Sequence, residues 1–389
     1  MVHPSIFRAY DIRGVYREEF NDEGAYDIAR AFVRLVQART SKESPTIILN
    51  HDSRESSPEL KKHVIKGLLG EGAHVIESGV AMSPFHYFVI NHTHADGGIM
   101  VTASHLGPAF NGFKLTLAGA MPVSGKEFYE FFSREVPLSP EKQGKLESVS
   151  FDAAYLEFLG ITQEEHEDIL QDPSIEFDTD GDRVMFTGAR GSPIRRDFVA
   201  ALLAEHFLTI HKQGSIVIDE RSSRIVRETI LAHGGTPVLS PVGHNFFKHA
   251  MKEHDALFGG ELSGHYYFKD FFFCDSGLFT AIRVRNITRE RGKSLEELLL
   301  PYEKYFHTGE INVPVTAHTA KILERVKEEY KTALHISTLD GLAIEYEDWW
   351  CSIRASNTEP VLRLNLEART ESLREEKLAR LKDLITATE

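Results

Sequence analysis

Apolar residues recur at helical spacing over 21–39, where Ala25, Ile28, Ala29, Phe32, Val33 and Val36 predict one buried face of an amphipathic helix. The pattern then shortens to an apolar run at 46–50, which predicts a buried strand. Ser57-Pro58 opens the next helix, with a hydroxyl as N-cap and proline at N1. A strand at 74–77, a helix opening at Ser83-Pro84 and a strand at 98–103 follow. After a loop ending at Lys114 come a strand at 115–117, a turn at Gly119 and a helix at 124–134. Strand and helix alternate, which predicts a layered α/β domain. Residues 137–150 are polar, with two prolines and a glycine, and read as a linker.

Helices at 151–159 and 163–170 precede two short strands, 175–177 and 184–186, that flank an acidic loop. A helix at 196–211, a strand at 215–218, a loop carrying Arg221 and Arg224, and a helix to residue 233 come next. A strand at 237–239, a helix opening at 242–245 and a strand at 256–258 complete a second α/β domain. From Ile311 the pattern becomes a strand, a helix over 316–331, several strands and a final helix. That is a smaller α+β unit. The expected fold class is therefore multidomain α/β, with repeated α/β/α layers and a small C-terminal α+β domain.

A chain of 389 residues is too long for one compact core and fits two to four domains. Its apolar content of 42% and charged content of 26% are those of a soluble globular protein. The net charge of −14 disfavours nucleic acid or an anionic membrane as partner. A local group of Arg and Lys still allows an anionic small-molecule substrate. Cys274 and Cys351 lie far apart, so neither a disulfide framework nor a cysteine metal site is expected, and a reducing cytoplasm is the expected location. The first residues lack a basic segment followed by an apolar one, so no secretory leader is expected.

Four loops carry the chemistry. At 102–114 (TASHLGPAFNGFK) an apolar strand ends in a loop that presents Ser104 and His105 and closes on Lys114. Ligand sites of open α/β sheets lie beyond such strand ends; an ordinary Ser/Gly/Pro loop is the competing reading. At 178–183 (DTDGDR) Asp178, Asp180 and Asp182 alternate. In an extended segment they share one face and converge on one hard cation; a solvated acidic turn is the competing reading. An EF-hand fails, because Arg183 and Ala189 stand where glycine and an acid are needed. At 259–265 (GGELSGH) glycines permit close approach of backbone to ligand, while Glu261 and Ser263 offer an acceptor and a donor for sugar hydroxyls. A serine-hydrolase elbow does not fit there, since Glu261 replaces its first glycine. At 354–360 (RASNTEP) a guanidinium, hydroxyls, an amide and loop N–H groups can make a phosphate cradle, with Arg363 on the next strand; a polar hairpin turn is the competing reading.

These four loops, in this order, resemble the signature loops of the phosphohexomutases, the phosphomannomutase/phosphoglucomutase family. FRAYDIRG at 7–14 is a fifth match, and the resemblance runs nearly end to end. It implies four domains: 1–137 with the phosphoserine loop, a shortened second domain at 148–190 with the metal loop, 191–305 with the sugar loop, and 310–389 with the phosphate loop, the last of TATA-binding-protein-like fold. It implies interconversion of hexose 6-phosphate and hexose 1-phosphate, of mannose or glucose, through phosphoserine and a hexose 1,6-bisphosphate that also serves as activator. Mg²⁺ would be held by Ser104, Asp178, Asp180 and Asp182. His105, Lys114, Arg13 and His265 are the implied catalytic neighbours. Tyr10, Arg183, Arg221, His244, Glu261, Ser263, Arg354, Ser356, Asn357, Thr358 and Arg363 are the implied substrate ligands. A monomer or homodimer is expected.

Two departures stand out. Leu106-Gly107 replaces the family's Asn-Pro after the histidine, which adds freedom to the loop. The interval from Ser104 to Asp178 is also well short of the family's usual separation, and the loss falls on the second domain. A non-catalytic sugar-phosphate-binding descendant, or a phosphatase that admits water to the phosphoserine, are the alternatives this raises. A remnant that small rarely buries enough surface to stand alone. It is expected to pack as an appendage or to be completed by a second chain, and to give up the bisphosphate more readily.

Overall fold

The computed structural model describes residues 2–134, 143–315, 318–356 and 360–387. The chain forms two compact units. The first comprises Met1–Pro193, Gly243–Phe258 and Ser263–Ile287, and the second Ile194–Val242, Gly259–Leu262 and Thr288–Glu389.

The first unit begins with β1 (Ile12–Val15), α1 (Asp22–Thr40), β2 (Thr46–His51), α2 (Ser57–Gly70), β3 (His74–Val80), α3 (Ser83–His92) and β4 (Gly97–Val101). Then come β5 (Phe110–Leu117), β6 (Met121–Val123), α4 (Gly125–Phe132) and β7 (Lys145–Ser148). Asn21 caps α1 by accepting from the Gly24 N–H at 3.1 Å, which satisfies one of the unpaired donors of the first turn. The sheet order is β1-β5-β4-β2-β3-β7, with β6 beside β5. β2, β3, β4 and β7 run parallel to one another, while β5 is antiparallel to β4 and β1. β2, β4 and β5 are buried along most of their length, and α1 contributes Ala25, Ile28, Ala29, Phe32, Val33 and Val36 to the core, as their spacing predicted.

Two local expectations are corrected. Of the segment read as a linker, residues up to 142 lie outside the described part, but Lys145–Ser148 is an edge strand parallel to β3. Its pairing rests on backbone groups, and its mostly exposed side chains carry no core pattern. Residues 110–114, read as loop, are the first half of β5. A Cβ at Gly112 would sit 1.9 Å from the Ile12 carbonyl oxygen, so glycine there lets β1 lie close along β5.

The segment expected to be a remnant holds α5 (Asp152–Leu159), α6 (Gln163–Gln171) and the antiparallel pair β8 (Ile175–Phe177) and β9 (Val184–Phe186). A capping box of Thr162 and Glu165 starts α6. The segment belongs to the first unit and borrows its core from it. The Tyr155 ring meets Phe85 edge-on at 5.2 Å and Phe88 at 5.1 Å. Phe158 packs on Phe88, Phe271 and Phe272 at 5.2 to 5.8 Å. It packs against the rest of the first unit, one of the two arrangements its size allows.

The second unit receives α7 (Arg196–His211), β10 (Gly214–Asp219), α8 (Arg224–Ala232) and β11 (Gly235–Ser240), with β10 and β11 parallel. The chain then supplies α9 (His244–Glu253), β12 (Phe258–Gly260), β13 (Tyr266–Phe268), β14 (Cys274–Asp275) and α10 (Gly277–Arg291). β13 and β14 pair antiparallel, and Tyr266, Tyr267, Phe268 and Phe271 are buried, as expected for core packing.

The rest belongs to the second unit: α11 (Leu295–Leu299), β15 (Phe306–His307), β16 (Ile311–Pro314), α12 (Thr319–Glu329), β17 (His335–Ser337), β18 (Leu342–Glu345), β19 (Trp349–Ala355), β20 (Val361–Ala368) and α13 (Glu371–Thr386). The antiparallel order is β15-β20-β19-β18-β17, with β16 also on β20. The buried Glu367 carboxylate ties this sheet to α8, accepting from Ser223 Oγ at 2.6 Å, the Arg224 N–H at 3.0 Å and Trp350 Nε1 at 2.7 Å. Among the described residues no helix is long and apolar enough to cross a membrane.

Candidate active site

The serine loop leaves the end of β4. Ser104 is 3% exposed and adopts φ 54°, a left-handed conformation that costs a non-glycine residue energy and is common at functional sites. Its N–H donates to Thr102 Oγ1 at 2.9 Å. Arg54 staples the loop from below. Its guanidinium donates to the carbonyls of Ser104, Leu106 and Gly107 at 2.5, 2.7 and 2.9 Å. Asp52 holds Arg54 in turn, Nε to Oδ2 at 3.0 Å. The freedom that Gly107 adds is therefore offset by a buried cation on its carbonyl. Arg54 was not singled out in the sequence, because its loop acceptors, the carbonyls of Ser104, Leu106, Gly107 and Phe110, are backbone oxygens about fifty positions away.

Ser104 Oγ donates to Asp180 Oδ1 at 3.0 Å and lies 3.2 Å from His105 Nδ1. Lys114 comes from the middle of β5 and is 5% exposed. Its Nζ donates to Asp180 Oδ2 at 2.6 Å, Asp182 Oδ2 at 2.7 Å and Ser83 Oγ at 2.9 Å. Burial opposes its charge, but Asp180 and Asp182 outweigh burial and hold its pKa well above the usual lysine value.

Asp178, Asp180 and Asp182 do converge, with one oxygen of each within 4.8 Å of the others. The reason is not strand alternation. Residues 178–182 form turns between β8 and β9, and Gly181 has φ 69°. A Cβ there would also meet Met82 Sδ at 2.4 Å. Asp178 accepts from the Arg183 N–H at 3.1 Å and from Arg183 Nε at 2.7 Å. The other end of Arg183 donates to His105 Nδ1 at 2.8 Å, which suits a neutral imidazole. Burial, then Arg183 and Arg13, lower the pKa of His105.

Among the described residues, the three carboxylates are paired with two permanent cations, Lys114 and Arg183. Burial and the like charges of Asp182 and Asp180 push Asp178 up to about 7 despite Arg183. Asp182 Oδ1 is buried without a hydrogen-bond partner. The surplus negative charge, the all-oxygen donor set and this oxygen fit a hard divalent cation.

His265 joins the same cluster, its Nδ1 2.8 Å from Asp275 Oδ2 and 3.7 Å from Asp182 Oδ1. Buried Lys248 pairs with Asp275 at 2.9 Å. His244 opens α9 beside Tyr10, ring centroids 5.6 Å apart, and burial followed by the Lys248 charge lowers its pKa to about 3. Arg13 is held by Asp11, Nε to Oδ2 at 2.7 Å. Ser263 Oγ is buried without a hydrogen-bond partner. Lys248 and Asp275 were missed in the sequence; a lone acid and a lone lysine carry no spacing signal.

The second unit holds the remaining residues. Arg221 Nη2 pairs with Asp219 Oδ2 at 2.8 Å and lies 3.6 Å from Glu261 Oε1. Asp219 also accepts the Leu262 N–H at 2.8 Å, which fixes the 259–262 backbone next to the strand end. Arg354 and Arg363 are direct partners on β19 and β20, and the Nε of each is buried with no hydrogen-bond partner among the described residues. Ser356 follows β19; Asn357 and Thr358 lie outside the described residues.

Comparison with known proteins agrees with this geometry. Models of phosphoglucomutase/phosphomannomutase match as α/β/α domain I at residues 4–130, α/β/α domain III at 195–305 and the C-terminal domain at 310–385. A phosphomannomutase of Escherichia coli is 30% identical, over 96% of this chain and 97% of its own. A phosphoglucomutase of Neisseria gonorrhoeae is 29% identical, over 98% and 96%. Both alignments extend over 448 positions, more than the 389 residues here, so these relatives carry sequence that this chain lacks. The crystal structure of a phosphoglucomutase/phosphomannomutase family protein from Burkholderia thailandensis superposes with a TM-score of 0.85 at 26% identity, covering 98% of both chains. The chain belongs to the phosphoglucomutase/phosphomannomutase family.

Proposed function

We propose that this isomerase interconverts hexose 6-phosphates and hexose 1-phosphates of mannose and glucose, with Ser104 as the phosphoryl carrier. The observation that carries the reading is Ser104 Oγ, 3.0 Å from Asp180 Oδ1 at the edge of the three-aspartate cluster. In the first half-reaction the Ser104 Oγ–P bond breaks and a P–O bond forms to a sugar hydroxyl, whose proton passes to a nearby base. The hexose 1,6-bisphosphate then turns end over end, and its other phosphoryl group returns to Ser104. Mg²⁺, when bound by Asp178, Asp180, Asp182 and Ser104, supplies neutralisation of phosphoryl charge.

The chain's own residues do the rest. Lys114 is held as a cation by its two carboxylate partners, so it stabilises charge and does not accept a proton. His105 and His265 are then the candidates for moving the proton of the attacking hydroxyl. The Nδ1 lone pair of His105 is taken by Arg183, so His105 acts as base only after that hydrogen bond is released. Arg13 and Arg183 add positive charge, and Tyr10, His244 and Ser263 line the same unit. In the second unit, Glu261 and Arg221 recognise the sugar, while Arg354, Arg363, Ser356, Asn357 and Thr358 hold the phosphate that is not being transferred. Both cysteines are buried free thiols, which supports a cytoplasmic location. Added hexose 1,6-bisphosphate acts as activator, and the working form is a monomer or homodimer.

Incubation with glucose 1,6-bisphosphate should add one phosphoryl group to the intact protein and none to Ser104→Ala. Ser104→Ala should also lose about 10³-fold or more of turnover on mannose 1-phosphate and glucose 1-phosphate. A fully active Ser104→Ala enzyme would sink the mechanism.

A further inference from the structure

We infer that Ser83 is a positioning residue for the cation and phosphoryl site, acting through Lys114 and Asp180. This rests on the reading of Asp178, Asp180 and Asp182 as cation ligands. Ser83 is the first residue of α3, and its side chain is fully buried. Its N–H donates to the Asp180 carbonyl at 2.9 Å, and its Oγ accepts from Lys114 Nζ at 2.9 Å. The hydroxyl itself is directed to Asp180 Oδ2 at 3.4 Å.

An ammonium has three donors and no acceptor. Lys114 uses them on Ser83 Oγ, Asp180 Oδ2 and Asp182 Oδ2, so each donor is spent. The two aspartates are thereby held by the same oxygen, Oδ2. Their Oδ1 atoms turn to the other side, that of Asp180 toward Ser104 and that of Asp182 toward His265 at 3.7 Å. A cation placed between the carboxylates meets oxygens whose rotation Lys114 has already set. Ser83 supplies the third anchor that keeps Lys114 there. Outer partners of this kind orient the groups that touch a metal.

A second contact comes from the same turn. Met82 lies where a side chain on Gly181 would have to go, so the end of the β3–α3 connection seats the metal loop at two points, 180 and 181. The α3 N-terminus also favours negative charge at Asp180. Without the Ser83 hydroxyl, a buried ammonium donor loses its partner. Lys114 then swings toward the carboxylates and rotates them.

The test uses Mn²⁺ as probe on the full chain without sugar, read by electron paramagnetic resonance and titration calorimetry. Ser83→Ala should bind Mn²⁺ about 10-fold or more weakly. Ser83→Thr keeps the hydroxyl and should bind nearly as the natural protein does. Ser83→Cys keeps the size but accepts poorly, and should follow Ser83→Ala; this comparison decides the matter where Ser83→Ala folds badly. In turnover the loss should fall on kcat, with KM for hexose 1-phosphate unchanged. Equal Mn²⁺ affinity in Ser83→Ala and the natural protein, or a Ser83→Thr variant as weak as Ser83→Ala, would overturn the inference alone. Failure of the natural protein itself to bind Mn²⁺ would overturn the cation reading with it.

Discussion

Arg354 on β19 stands directly across from Arg363 on β20, so two guanidinium groups share one face of an antiparallel pair. Like charges in that arrangement destabilise a sheet unless an anion sits with them. Among the described residues their acidic contacts are long: Arg354 Nε is 4.0 Å from Asp340 Oδ2, and Arg363 Nη1 donates to Glu310 Oε1 at 3.4 Å. Arg363→Ala should therefore raise KM for mannose and glucose phosphates alike. A charge-assisted hydrogen bond contributes about 1.5–3 kcal/mol, or roughly 10- to 150-fold. The rise in melting temperature on adding sugar phosphate should shrink in parallel. A change in the preference between the two sugars, with no loss of phosphate affinity, would contradict the assignment.

Asp180 is the aspartate that touches both Ser104 and Lys114. Asp180→Asn keeps the shape and removes one negative charge from the cluster. The Mg²⁺ concentration for half-maximal activity should rise by about 10-fold or more, and chelation should abolish activity in both proteins. An unaltered Mg²⁺ requirement in the variant would remove Asp180 from the cation site.

Arg54 holds the serine loop by the carbonyl oxygens of Ser104, Leu106, Gly107 and Phe110. Arg54→Ala leaves Ser104 and its neighbours in place chemically but frees the backbone that aims them. A drop in kcat of about 10- to 100-fold is expected, on the scale of lost outer-sphere partners. Amide hydrogen exchange over residues 104–107 should accelerate, while the core of the first unit stays protected. Unchanged exchange in that loop would show that Arg54 is not its staple.

Tyr155 is 7% exposed and anchors the shortened segment on Phe85 and Phe88. Tyr155→Ala should cost about 3–5 kcal/mol, the range for deleting a buried aromatic ring. Limited proteolysis of the variant should cut within residues 151–188 before the rest of the first unit. In the natural protein the same shortening should make activity depend on added hexose 1,6-bisphosphate, with free bisphosphate accumulating during turnover. Full activity without activator and without escape would refute that consequence of the deletion.

What the linear order determined here is local and chemical. The helical faces of 21–39 and the apolar run at 46–50 reached the core as expected, because period 3.6 and unbroken apolarity leave few other ways to bury them. The aspartate triplet, Ser104 and Lys114 stood out because the loops that carry them resemble, in order, the signature loops of the phosphohexomutases, where each pattern alone also fits an ordinary loop or a solvated acidic turn. The tertiary structure decided how those groups meet. The aspartates converge through a turn at Gly181 and not along a strand. Lys145–Ser148 became a strand through backbone pairing that leaves no mark on side-chain pattern. Arg54, Ser83, Lys248 and Asp275 acquired partners tens of positions away or across a fold, through backbone carbonyls and buried ion pairs. Hydrogen bonds and charges act over a few ångströms of space, and that distance is set only when the chain has packed.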